Sequence, residues 1–162
     1  MEACASAHYW GRMCRDLGHE VRRVPPQYAR PYVKTHKNDP ADAEGIVEAA
    51  SRRSMRFAPL KSEEQQSVQA LYRGRNRLKR DRTALGNEIR GLLGEFGVGC
   101  PATLNKLRRE LDALLVDHRS CIPAMMAQLL RGLHRDLAYL DGRIKEVEAT
   151  MKELNGHFQL LS

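Results

Sequence analysis

Lys34-Thr35-His36-Lys37-Asn38-Asp39-Pro40-Ala41-Asp42-Ala43 is the stretch on which the fold turns, because it closes a proline-rich loop and opens a helix between two segments of strand character. Pro40 suits the first helical position, Asp39 then falls at the N-cap, and Asp42 lies where a capping-box acid reaches back to the cap. The same carboxylates stand three residues apart, so they share a helix face with β-carbons about 5–6 Å apart and could face one metal ion together. Spacing alone leaves both readings open. Lys34 and Lys37 set positive charge directly ahead of the acids, as a phosphate-binding loop would.

Outward from this stretch, residues 1–61 read as α/β. Ala7 to Leu17 is a predicted helix with Tyr9, Trp10, Met13, Cys14 and Leu17 on one apolar stripe, capped by Gly18. Glu20 to Val24 is a short predicted strand. Pro25, Pro26 and Pro31 then enforce an extended loop. The helix opened by Asp39 is expected to turn Ala43, Ile46, Val47 and Ala50 inward, and Met55-Arg56-Phe57-Ala58 reads as the next strand, ended by Pro59. Strand, crossover helix and strand suggest a parallel βαβ unit. So few short strands make a poor sheet, which marks this half as part of a larger fold.

Residues 62–162 differ in kind. Ser62-Glu63-Glu64-Gln65 is a capping box, and Val68, Leu71, Arg75, Leu78, Arg82, Leu85, Ile89, Leu92 and Phe96 then alternate by three and four. Gly97 and Gly99 break that seam, Pro101 begins a connector with a short helix near Leu104 to Leu115, and Pro123 opens a second long helix. Met126, Leu130, Leu133, Leu137, Leu140, Ile144, Val147, Met151, Leu154, Phe158 and Leu161 continue the alternation there. Two heptad helices joined by a connector imply an antiparallel hairpin, or pairing between chains. Arg75 and Arg82 occupy seam positions where apolar residues are expected, and an unpaired buried guanidinium is costly. Either the arginines snorkel from an open seam, or this stretch belongs to a nucleic-acid-binding face.

The 162-residue chain carries 27 Lys and Arg against 20 Asp and Glu, a formal charge of +7 that favours an anionic partner without naming it. Arg73, Arg75, Arg77, Lys79, Arg80 and Arg82 against Asp81 concentrate a local +5, either a solvated helix face or a phosphate-contacting one. An apolar share of 42% permits a core. No apolar run reaches the roughly eighteen residues a membrane span needs, so no membrane partner is expected. Met1-Glu2-Ala3-Cys4 lacks both a basic and an apolar leader region, which makes cytoplasmic residence the expectation. Cys4, Cys14, Cys100 and Cys121 lack short paired spacing and read as reduced, mostly buried small hydrophobes. His118 and Cys121 are the closest metal-like pair, without the second pair a zinc site needs.

Met1-Glu2-Ala3-Cys4, His8-Tyr9-Trp10, Pro25-Pro26-Gln27-Tyr28, Pro31-Tyr32-Val33-Lys34-Thr35, Lys37-Asn38-Asp39, Asp42-Ala43 and Met55-Arg56-Phe57 form an ordered series. It resembles the N-terminal region of the DEDD-type transposases of the one-ten insertion-sequence family, the bridge-RNA-guided recombinases. Ser62-Glu63-Glu64-Gln65-Gln66, Arg82-Thr83-Ala84-Leu85, Asn87-Glu88-Ile89-Arg90-Gly91-Leu92-Leu93 and Glu95-Phe96-Gly97 resemble the long helix after that catalytic domain. The resemblance implies a tetrad of acids binding divalent metal, Mg²⁺ or Mn²⁺, on a RuvC-like, ribonuclease-H-type fold. Its Glu matches Glu2, and its last two Asp match Asp39 and Asp42. The first Asp and the serine-bearing second domain have no counterpart, and Phe158-Gln159-Leu160-Leu161-Ser162 resembles the junction before that domain. A piece of a transposase is the expectation.

The expected fold class is thus α/β plus all-α, with a partial ribonuclease-H-like (RuvC-like) catalytic domain over 1–61 and a long helical hairpin or coiled coil over 62–162. The resemblance implies DNA recombination for transposition, with DNA and a structured guide RNA as partners, and the heptad pattern of the long helices leads to homo-oligomers as a further expectation. Glu2, Asp39 and Asp42 are the expected metal ligands and catalytic acids. Lys34, Lys37, Arg73, Arg75, Arg77, Lys79, Arg80 and Arg82 are the expected phosphate contacts. With a carboxylate missing, cleavage by this chain alone is not expected, since a two-metal site can lose an ion with one ligand. The alternative is a non-enzymatic basic helical module that binds RNA or DNA, or dimerises.

Overall fold

A computed structural model describes residues 1–32, 39–116 and 122–160, without the side chains of 155–160. Lys34, Lys37, His118, Cys121, Leu161 and Ser162 lie outside the described residues, as does the side chain of Phe158. The helices are α1 (Ala7–Asp16), α2 (Pro26–Ala29), α3 (Asp39–Ser51), α4 (Glu63–Gly94), α5 (Leu104–Val116) and α6 (Ala124–Leu160), with a 3-10 turn at Arg30–Tyr32. The chain divides into two units, Met1–Ser67 and Val68–Ser162. Among the described residues no helix is long and apolar enough to cross a membrane.

In the first unit the α/β expectation is corrected. The described residues contain no strand, only isolated bridges that pair Glu2 with Val24 in parallel and Arg23 with Ala58 antiparallel. The parallel βαβ pairing is therefore not formed. Segments 20–24 and 55–58 do meet, with Ala58 N–H donating to Arg23 O at 2.8 Å. Pro25, Pro26 and Pro59 bound the pairing, because proline supplies no ladder donor. The core is small, with buried Val24, Ala29 and Ala49 flanked by Tyr32, Ile46, Ala50 and Met55.

The face of α1 is also corrected, and that of α3 in part, since Ile46 and Ala50 do pack against the core. Tyr9, Trp10, Met13 and Leu17 are exposed, whereas Ala7 and Gly11 are buried. A Cβ at Gly11 would lie 2.6 Å from a Leu60 methyl and 3.4 Å from Val21, so the small face of α1 is the one the following chain approaches. On α3, Gly45 and Ala49 are buried while Ala43 and Val47 are exposed. Small residues again permit the closer approach. The Gly18 cap forms as predicted: Gly18 has φ 87°, His19 N–H donates to Cys14 O at 3.0 Å, and Gly18 N–H donates to Arg15 O at 2.9 Å. That is a Schellman closure. Of the cysteines expected inside, Cys4 is exposed and Cys14 and Cys100 are only partly covered.

The second unit keeps its predicted helices. The capping box that starts α4 is reciprocal, with Gln65 N–H donating to Ser62 Oγ at 3.1 Å and Ser62 N–H to Gln65 Oε1 at 3.2 Å. At the far end Gly97 takes φ 72°, and Val98 N–H donates to Leu93 O at 3.1 Å. Ile89, Leu93, Leu107, Leu111, Ile122, Leu130 and Leu137 form the apolar core of α4, α5 and α6. Arg90 fastens the connector by donating to Pro101 O at 3.1 Å and Ala102 O at 2.7 Å.

Arg75 and Arg82 do not snorkel from an open seam but are paired across it. Arg75 Nε pairs with Glu148 at 2.7 Å, Lys79 approaches the same carboxylate at 3.3 Å, and Arg82 pairs with Asp141 at 3.0 Å. A step of seven residues forward on α4 matches seven backward on α6, so the two helices run antiparallel. Asp141 also receives Arg108 from α5. The ions are thus compensated, as partly buried charges require.

Candidate nucleic-acid interface

Asp39 and Asp42 both lie in the first turn of α3. Asp39 is already helical, so the expected cap position precedes it and lies outside the described residues. Glu2 sits on the bridge to Val24. Among the described residues no group of three or more His, Cys, Asp and Glu side chains is gathered closely enough to hold a metal ion. Asp39 and Asp42, three residues apart in that turn, share a helix face, and Mg²⁺ commonly takes one or two carboxylates with water and phosphate. The three-carboxylate set does not gather, so a complete metal centre does not fit these residues and no chemical step is drawn through one.

The basic segment of α4 separates into two populations. Arg75, Lys79 and Arg82 turn towards Glu148 and Asp141 on α6 and are engaged in helix pairing. Arg73, Arg77 and Arg80 are exposed. Their spacing of four and then three places them on one stripe of the helix. Arg77 approaches Asp81 at 3.5 Å, but its side chain is 78% exposed, so this pair holds it only weakly. The stripe can meet a run of phosphates at the cost of no more than this one weak, exposed pair.

Sequence reasoning missed a cationic knot in the first unit. Arg23 is buried and donates to Pro59 O at 2.7 Å, and its Nη1 lies 3.2 Å from His8 Nδ1. Lys61 N–H also donates to His8 Nδ1 at 3.0 Å. Two donors converging on Nδ1 make it the acceptor and assign the ring proton to Nε2. Arg12, one turn beyond His8 on α1, donates to Lys61 O at 3.1 Å and Gln66 Oε1 at 2.9 Å. The only sequence signal was the spacing of four between His8 and Arg12, which says nothing of Arg23.

Burial first, then the charges of Arg23, Lys61 and Arg12, lowers the His8 pKa below its ordinary 6.5. The folded state therefore binds this proton less readily than the unfolded chain. Its stabilising contribution is full above about pH 6.5 and is lost as pH falls from there through the lowered folded value. Thermal unfolding followed between about pH 7 and pH 5 should show a falling midpoint. His8→Asn keeps an acceptor near Nδ1 and should flatten that part of the profile; an unchanged slope would remove His8 from the account.

A family model described as transposase, of the IS110 DEDD type, matches residues 1–97. The chain is 52% identical to a probable family 20 transposase of Pseudomonas aeruginosa, over 91% of this chain and 44% of that protein. It is 42% identical to the transposase for insertion sequence element IS1111A of Coxiella burnetii, over 94% of this chain and 42% of that protein. The transposase for IS1328 of Yersinia enterocolitica is 40% identical, over 94% of this chain and 45% of its own length. The chain thus spans less than half the length of these curated relatives. No solved structure matches it. On the family match over residues 1–97, with relatives agreeing along almost all of its length, this chain belongs to the IS110 family of DEDD transposases.

Proposed function

We propose that this chain is the nucleic-acid-gripping part of a DEDD transposase and acts in DNA recombination for transposition. Residues 1–61 are read as part of a RuvC-like catalytic domain. Residues 62–162 are read as its helical extension, a hairpin of coiled-coil kind that contacts DNA or a structured guide RNA and pairs protomers. The observation that carries the reading is the exposed stripe of Arg73, Arg77 and Arg80 on α4, which presents positive charge at a spacing suited to a phosphate backbone. Lys34 and Lys37 are assigned to the same role from their sequence context.

Membership of the DEDD group implies divalent-metal dependence in general, and Mg²⁺ or Mn²⁺ is the ion proposed. Glu2, Asp39 and Asp42 are this chain's share of that ligand set. Because the three do not gather, the chain by itself is a binding module rather than a nuclease. The test is a titration of the 162-residue chain with duplex DNA, single-stranded DNA and structured RNA at several salt concentrations. The expected result is binding to nucleic acid whose logarithmic affinity falls linearly with the logarithm of salt, without strand cleavage when Mg²⁺ is added. Absence of binding at low salt would sink the binding role. Cleavage abolished by Asp39→Asn would instead show that these acids suffice for catalysis.

A further inference from the structure

Between the one-turn helix α2 and the segment after α3 lies an open cleft of about 310 Å³ lined by Gln27, Tyr28, Pro31, Tyr32, Ser54, Met55 and Arg56. Its volume is at the lower end of the roughly 300–1,000 Å³ usual for ligand sites, so it suits one ring system. Tyr28, Pro31, Tyr32 and Met55 supply apolar walls. Gln27 offers an amide that both donates and accepts, Ser54 a hydroxyl, and Arg56 a guanidinium. Among the described residues no carboxylate lines it. That combination is unsuited to a cation and suited to a flat, hydrogen-bonding ring carried on an anionic strand.

The walls are held before any ligand arrives. Pro25, Pro26 and Pro31 fix their own φ angles, and Tyr28 N–H donates to Pro25 O at 2.9 Å. Ala29 is buried beside Tyr28, and Tyr32 and Met55 pack against the core that contains it. Arg52 lies 5.4 Å from the Tyr32 ring centre and is itself paired with Glu48 at 2.7 Å. Tyr28, by contrast, is 40% exposed. A cleft whose inner wall, Tyr32 and Met55, is packed on the core and which offers one accessible aromatic suits an unstacked base, because part of its surface is already ordered before binding.

We infer that this cleft receives a single unstacked nucleobase from a DNA or RNA strand, stacked on Tyr28 and hydrogen-bonded through Gln27 and Ser54, with Arg56 near the adjoining phosphate. The inference rests on the nucleic-acid reading above and adds a base-contacting site to what was otherwise a phosphate-contacting surface. It needs no bond-making step.

The experiment compares the full chain's affinity for a single strand carrying one 2-aminopurine among ordinary bases with that for an abasic strand of equal length, in DNA and in RNA forms. The base-bearing strand should bind about tenfold more tightly, with quenched 2-aminopurine fluorescence. Tyr28→Ala should remove about that tenfold preference while leaving the salt dependence unchanged, and Tyr28→Phe should retain it. The DNA and RNA arms identify which strand supplies the base. Equal affinity of the wild-type chain for base-bearing and abasic strands overturns the base site and leaves phosphate binding standing. A base preference that survives Tyr28→Ala in a folded variant also overturns it. Failure to bind either strand overturns both readings together. The wild-type comparison needs no variant, so a Tyr28→Ala chain that failed to fold would leave the test decisive.

Discussion

Replacing Arg73, Arg77 and Arg80 together by Gln should lower nucleic-acid affinity by on the order of tenfold to a hundredfold at low salt and reduce the salt slope by about 2–3. Each arginine that neutralises a phosphate releases a condensed counterion, contributing about 0.9 to the slope on duplex DNA and about 0.7 on a single strand. The stripe can contribute because its side chains are exposed, and the one ion pair described on it, Arg77 with Asp81, is solvent-screened and weak. Arg75→Gln and Arg82→Gln provide the contrast, since those guanidinium groups are engaged by Glu148 and Asp141. Their loss should lower the melting temperature and leave the salt slope within error. A slope that fell equally for both sets would mean that the ion pairs open on binding and that the division drawn on α4 is wrong.

Asp141→Ala should destabilise the second unit by about 2 kcal/mol, about 10 °C in the midpoint of thermal unfolding for a domain of this size. Asp141 receives Arg82 from α4 and Arg108 from α5, so its removal leaves two guanidinium groups facing each other. Stripping one partner from a fully buried pair costs about 3–5 kcal/mol. Here Asp141 is 22% exposed and its partners 30% and 31%, so water screens part of the loss. Among the described residues Arg82 Nε is already buried without a hydrogen-bond partner, so that atom gains nothing from the solvent that reaches the rest of the side chain. The Arg82→Ala, Asp141→Ala double variant should cost less than the sum of the single changes. Strict additivity in urea unfolding would show that the pair carries no coupling.

The local signals were the most legible. The reciprocal Ser62 and Gln65 cap and the Gly18 closure depend on a few neighbouring residues, and such contacts can be read from spacing. The α5 and α6 helices likewise follow from apolar period and proline position. For α1 the period located a helix but chose the wrong face to bury, because an aromatic stripe needs a partner surface and Gly11 allowed Leu60 to approach the opposite side. Segments 20–24 and 55–58 have strand composition, but a strand exists only through its neighbours, and here pairing stops at single bridges.

The functional residues divide in the same way. The Asp39 and Asp42 spacing, the basic run from Arg73 to Arg82 and the kinship with DEDD transposases were all present in the sequence, because each is a matter of residue order. Which arginines are free to meet phosphate was not, since Arg75 and Arg82 find their carboxylates 73 and 59 residues away. Asp141 and Glu148 repeat the interval of seven between Arg75 and Arg82, a signal that becomes informative only once the helices are known to run antiparallel. Nor did sequence bring Tyr28 and Arg56 to one cleft, or Arg23 to His8. Helix periods and caps are set by near neighbours along the chain, whereas charge compensation and cavity shape are set by which distant residues the tertiary fold makes adjacent.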